Sequence, residues 1–143
     1  MFKIKKGDNL IIRLEKGEEI VESIINACEE EKIKTGIVSG IGACKEIETG
    51  YFNTKDKKYF SKKFTGHLEI VSLSGNFSHM NGEAYGHFHI AFSDEELNLH
   101  GGHLNSAIIS ATGEIFVQNI DVVIDRKFSE EIGLNLMDFR GEE

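Results

Sequence analysis

Proline is absent from this chain of 143 residues, which excludes proline-rich linkers and proline-marked turns. No apolar run approaches the ~20 residues that a membrane-spanning helix requires. The opening Met1-Phe2-Lys3-Ile4-Lys5-Lys6 holds no apolar stretch long enough for a secretory signal. A cytoplasmic protein with no membrane partner is therefore expected. Cysteine is sparse, and Cys28 and Cys44 lie too far apart for a Cys-x-x-Cys pair. Both are read as reduced, small hydrophobes. Positive charge is also short, with 16 basic against 24 acidic side chains and a net charge of −8. Such a surface repels the phosphate backbone of nucleic acid unless its cations gather on one face. The arginines, Arg13, Arg126 and Arg140, are scattered, and the one basic cluster is Lys55, Lys57, Lys58, Lys62 and Lys63. Its plain reading is a solvated hairpin; its functional reading is a set of phosphate contacts.

The length fits one domain spanning residues 1–143, large enough to bury a core without disulfides. No repeat or low-complexity segment interrupts it. Asn9 to Leu14 reads as a strand. From Glu18 to about Lys32, Ile20, Val21, Ile24, Ile25 and Cys28 recur at the spacing of one helix face, with Glu18, Glu19 and Glu22 where negative charge suits the helix dipole. Thr35 to Ser39 reads as a short buried strand ended by Gly40-Ile41-Gly42. That glycine pair lacks the Gly-Lys-Ser/Thr of a phosphate loop. Alternation at Ile47, Thr49 and Tyr51, with a return through Tyr59, Phe60 and Phe64, predicts a hairpin. His67 to Phe77 reads as a strand with Leu68, Ile70 and Ser72 opposite Glu69, Val71 and Leu73. Another strand follows the Asn81-Gly82 turn signal from Gly82 to Phe92. Glu114 to Ile120 and Val122 to Ile124 complete the set, and a short helical turn is predicted between Phe128 and Arg140. One main helix with many closely connected strands predicts an α+β domain with a mixed or antiparallel sheet.

The chemistry concentrates in the histidines. Four of six fall in the segments Gly86-His87-Phe88-His89-Ile90 and Leu99-His100-Gly101-Gly102-His103-Leu104. On a strand, residues two apart share a face, so His87 and His89 point together while Phe88 and Ile90 pack on the other side. A turn at Gly101-Gly102 would aim His103 at the same point. Three imidazoles suit zinc, and nickel, copper or iron accept the same donors. Three protein ligands leave a coordination position open to water or a small ligand. His100 is read as solvent-exposed, and His67 and His79 as surface residues. Asp94, Glu95 and Glu96 form a hydrated acidic loop. Glu69, alone in the apolar run Leu68 to Leu73, is the candidate carboxylate for proton transfer, a catalytic role, or for orienting a histidine.

The run Gly66-His67-Leu68-Glu69-Ile70-Val71-Ser72-Leu73-Ser74-Gly75-Asn76-Phe77 resembles the core motif of the plants-and-prokaryotes conserved (PPC) domain. His87-Phe88-His89 and Gly101-Gly102-His103-Leu104 resemble the histidine motifs of its prokaryotic branch. Arg13-Leu14-Glu15-Lys16-Gly17-Glu18 and Gly40-Ile41-Gly42-Ala43 resemble its N-terminal pattern. The resemblance implies an α/β domain with a largely antiparallel central sheet, shorter helices beside the main one, and a homotrimeric assembly. It also implies a metal, commonly zinc, at His87, His89 and His103. The family carries a DNA-binding label, and its plant members place the domain beside AT-hook segments. This chain has no Arg-Gly-Arg segment, and His67 stands where the plant pattern has arginine.

Three readings of function follow. The first is a trimeric metal-binding domain with an open coordination position, binding or acting on a small molecule. The second is a DNA-binding regulator contacting phosphates through Lys55, Lys57, Lys58, Lys62 and Lys63, disfavoured by the net charge. The third is a small cupin-like metalloprotein, since cupins also use His-x-His with a later histidine. A proline-free chain cannot supply the Pro-x-Gly that usually precedes the last cupin histidine.

Overall fold

The computed structural model describes residues 1–139. Its strands are β1 (Phe2–Lys6), β2 (Asn9–Glu15), β3 (Thr35–Asn53), β4 (Lys58–Met80), β5 (Glu83–Ser93), β6 (Leu99–Ile120), β7 (Asp125–Ser129) and β8 (Leu134–Asp138). The one helix among the described residues is α1 (Ile20–Glu30). Strand accounts for 71% of the described residues and helix for 8%. The α+β expectation, with shorter helices beside the main one, is therefore corrected to a mostly β fold built on a large antiparallel sheet.

The reason lies in strand length. Thr35 to Ser39 does not stop at its glycines but continues through them as the start of the 19-residue β3. Strands β4 and β6 run for 23 and 22 residues, several times the usual ~5–6. Such strands bend by bulges, and the register of β3 slips between Gly40 and Gly42 and between Cys44 and Glu46. A further slip between Ile70 and Ser72 resets the phase of β4 against β5. Leu68 and Ile70 are buried as the alternation predicts, but beyond the slip it is Leu73 that enters the core. A bulge is invisible to a strict period of two.

The sheet order is β1-β2-β6-β3-β4-β5, and β5 pairs back onto β6. Strands β6, β3, β4 and β5 thus form a closed ring of ladders at one end. Among the strands of the described residues, the small β7–β8 pair alone stands outside this sheet. The two facing sheets of a jelly roll are not present among the described residues, which removes the cupin reading.

Helix α1 packs on β2, β5 and β6, burying Ile20, Ile24, Ala27 and Cys28. Its N-cap is Glu19, whose carboxylate accepts from the Glu22 backbone N–H at 2.6 Å and from Ala107 N–H of β6 at 2.9 Å. One side chain thereby caps the helix and docks it on the sheet. Phe77, Phe88 and Phe92 are the largest side chains buried in the core. The tail predicted to hold a helical turn forms β7 and β8 instead, reversed at Gly133 with φ +87°, a conformation that glycine adopts without strain. Arg140, the end of that predicted segment, lies outside the described residues. Val122 to Ile124, predicted as a strand, is irregular.

Candidate metal centre

Strand β5 buries Phe88 and Ile90 and so turns His87 and His89 to its outer face, as a period of two requires. His89 lies directly opposite His103 in the β5–β6 ladder. Residues opposite one another in an antiparallel pair project to the same side, so the third imidazole joins the first two. No turn at Gly101-Gly102 delivers it, contrary to the sequence reading: both glycines lie within β6. Their purpose is close approach. A Cβ on Gly101 would sit 2.5 Å from the Ile90 carbonyl oxygen, and one on Gly102 2.6 Å from that of Gly50. Strand β6 is therefore squeezed between β5 and β3 where the ring closes. The Thr49 hydroxyl donates to the His103 carbonyl at 2.8 Å and secures that position.

The three rings converge. Their candidate ligand atoms all lie within 4.8 Å of one another, and the ring centroids stand 5.2–5.6 Å apart. None of their nitrogens has a hydrogen-bond partner among the described residues, and no carboxylate orients them. A tetrahedral ion with bonds of about 2.0–2.1 Å spaces its ligands by about 3.3 Å, so the widest pair must close by about 1.5 Å, within reach of small side-chain rotations. The donor set fits a zinc-like ion. Burial, then the neighbouring His103, Arg126 and His89, lower the His87 pKa from 6.5 to about 4. Burial, with His89 second, also lowers that of His103. Both rings are thereby kept in the neutral form that a metal requires.

The histidines open onto a cleft of about 580 Å³ between the β3–β4 hairpin and the β7–β8 pair. Tyr51, Phe52 and Tyr59 form one wall, and Leu134, Leu136 and Met137 the other. Among the described residues no Asp or Glu lines it. Tyr59 sets its ring edge-on to His103 at 6.0 Å and donates its hydroxyl to Asn105.

The sequence missed Arg126. It is buried at 5% exposure and lines the same cleft. Its Nε donates to Ser78 Oγ at 2.8 Å, Nη1 to the Asn135 carbonyl at 3.1 Å and Nη2 to Asn76 Oδ1 at 2.7 Å. Asn76 in turn is the cross-strand partner of His87. The guanidinium also stacks over Tyr85 at 4.7 Å.

Other predicted residues fall elsewhere. Glu69 is exposed on β4, opposite Ser93 rather than the histidines, and does not line the cleft. His100 is half-buried, paired with Asp94 at 2.8 Å and set against Phe64 and Phe92. Asp94 is more than hydrated: it also accepts from the Glu96 and Asn98 backbone N–H groups, and the His100 bond holds its carboxyl below the usual range. His79 is partly buried against Phe77 instead of lying free at the surface, while His67 is exposed. Lys55, Lys57, Lys58, Lys62 and Lys63 are all exposed. Lys63 pairs with Glu46 at 2.9 Å, Lys62 lies over the Phe64 ring, and Lys57 donates to the Glu130 carbonyl.

The family model described as the Plants and Prokaryotes Conserved (PCC) domain matches residues 1–121. A solved structure from Bacteroides thetaiotaomicron, titled a "putative dna binding protein", is 36% identical with a TM-score of 0.93, covering 96% of both chains. A plant- and prokaryote-conserved protein from Pyrococcus horikoshii is 33% identical with a TM-score of 0.84, covering 92% of both. A metal-containing protein from Archaeoglobus fulgidus is 31% identical with a TM-score of 0.84, covering 96% of this chain and 97% of that one. No curated protein sequence matches.

Proposed function

This chain belongs to the Plants and Prokaryotes Conserved domain family, and from that premise we propose that it is a metal-binding domain whose three-histidine centre keeps one coordination position for a small ligand. The observation that carries this reading is the convergence of the ligand atoms of His87, His89 and His103 within 4.8 Å of one another, with no hydrogen-bond partner for their ring nitrogens among the described residues. The metal-containing relative from Archaeoglobus fulgidus supports it. Zinc is the first candidate; nickel, copper and iron take the same donors. When bound, such an ion supplies Lewis acidity and brings the pKa of a coordinated water to about 7. The protein's own contribution is to hold His87 and His103 neutral by burial and to set the three rings at a cleft flanked by the β7–β8 pair. Metal content measured on chelator-free protein tests the reading. About one ion per chain is expected in the wild type, and most of it should be lost in His89→Ala. Because His89 is exposed, that variant should keep its fold, and wild-type metal content in it would refute the ligand assignment.

The homotrimer of this reading finds support on the outer sheet face, where Ile4, Ile11, Phe116, Ile37 and Ile41 are exposed. Ile4 faces Ile11 and Ile11 faces Phe116 across the ladders, an apolar row of the kind that assembly buries. The free, buried thiols of Cys28 and Cys44 accord with a reducing compartment such as the cytoplasm. No helix among the described residues is long and apolar enough to cross a membrane.

DNA binding is the second reading, favoured by the description of the 36% identical relative from Bacteroides thetaiotaomicron. The exposed lysines of the β3–β4 hairpin would make the phosphate contacts against a net charge of −8. A salt titration with duplex DNA decides it. Phosphate contact makes log affinity fall linearly with log salt, and no binding at low salt ends this reading.

A further inference from the structure

A buried cation that is not paired is costly, and Arg126 has no carboxylate partner among the described residues. Its three protein acceptors are a hydroxyl, a backbone carbonyl and a side-chain amide, all neutral. The nearest carboxylate in sequence, Asp125, accepts instead from the backbone N–H groups of Asn81 and Arg126 itself. A guanidinium has five N–H donors. With three engaged, two remain, one on each terminal nitrogen, without a protein partner among the described residues. The cleft wall that Arg126 shares with the histidines carries no carboxylate among the described residues. The imidazoles beside it add no negative charge, and a metal would add more positive charge. No described residue supplies the counter-charge, which leaves it to what enters the cleft.

We infer that the cleft binds a small organic carboxylate, its charged head on Arg126 and its apolar body against Leu134, Leu136 and Met137. This rests on the proposed metal site, because the same cleft holds both. Two remaining N–H donors match the two oxygens of one carboxylate, and a single guanidinium matches its single charge. A phosphate dianion would bring twice the charge into a wall of largely apolar side chains.

The test follows the Arg126 Nε–H resonance in the ¹⁵N-labelled full-length protein, with and without zinc. Isobutyrate is the probe, isobutyramide its uncharged counterpart, and inorganic phosphate the competing anion. Isobutyrate should shift that resonance saturably, at concentrations about tenfold or more below those needed for the amide or for phosphate. An equal response to the amide, tighter binding of phosphate, or no saturable shift with isobutyrate overturns the proposal. Arg126→Lys, which keeps charge but not the planar fork, should weaken isobutyrate about tenfold. If it fails to fold, the wild-type titration still decides. Zinc loading without an Arg126 response sinks the carboxylate alone. An isobutyrate response in protein that takes up no zinc supports the carboxylate and sinks the metal reading alone.

Discussion

Gly102→Ala is the most exacting perturbation of the site, because it alters neither a ligand nor a charge. The added Cβ would stand 2.6 Å from the Gly50 carbonyl oxygen and 2.9 Å from Thr49 Oγ1. A normal carbon–oxygen contact is about 3.3 Å, so the first is short by about 0.7 Å, and a ladder carbonyl cannot rotate away as a side-chain end can. The residue also sits at φ +156°, which L side chains adopt reluctantly. Strand β6 must therefore retreat from β3 at the residue next to His103. Overpacking of this kind costs about 1–3 kcal/mol. Metal–ligand distances tolerate only about ±0.2 Å, so the displaced His103 should lower zinc affinity by about 10–100-fold, the range seen when a ligand's support is removed. Chelator competition measures the affinity, and thermal unfolding of the metal-free protein measures the fold. Wild-type affinity and an unchanged melting temperature together would refute the claim that close strand approach positions the third ligand.

Burial also sets two titration outcomes. In metal-free protein, His87 titrates at about 4 when folded against 6.5 when unfolded, so between these values the unfolded chain holds a proton the native state lacks. Stability must then fall as pH drops from about 6.5 towards 4; the full shift corresponds to about 3 kcal/mol, reduced to about 1 kcal/mol because the ring is only half-buried. Urea titrations should show that slope flattened in His87→Gln, and an unaltered slope contradicts the assignment. Burial pushes the thiols of Cys28 and Cys44 up to about 12; native protein at pH 8 should resist iodoacetamide until it unfolds, and rapid native labelling contradicts the packing.

The parts legible in the sequence were those set by local periodicity. Helix α1 and the shared face of His87 and His89 need only the chain's own repeat distances. What escaped depends on distant segments. The diglycine before His103 reads as a turn because glycine usually marks one, yet here it answers to Ile90 and Gly50 on two neighbouring strands. The bulge after Ile70 moves Leu73 inward and carries no residue signature. The apolar spacing of Phe128, Ile132 and Leu136 suits a helical turn, but the chain makes a single turn, with Gly133 N–H donating to the Ser129 carbonyl, and then returns as β8 paired with β7. Arg126 had no local sign at all, since Asn76 and Ser78 lie 50 and 48 positions away. Glu69 drew notice as a charge in an apolar run, and its exposed outer face accounts for it.

X-ray absorption at the zinc edge of the loaded, unmodified protein tests the centre most directly. The account predicts three imidazole nitrogens and one further light atom, all at about 2.0–2.1 Å. Sulfur scattering at about 2.3 Å, a shell with fewer than three imidazoles, or failure to load one ion per chain would contradict it.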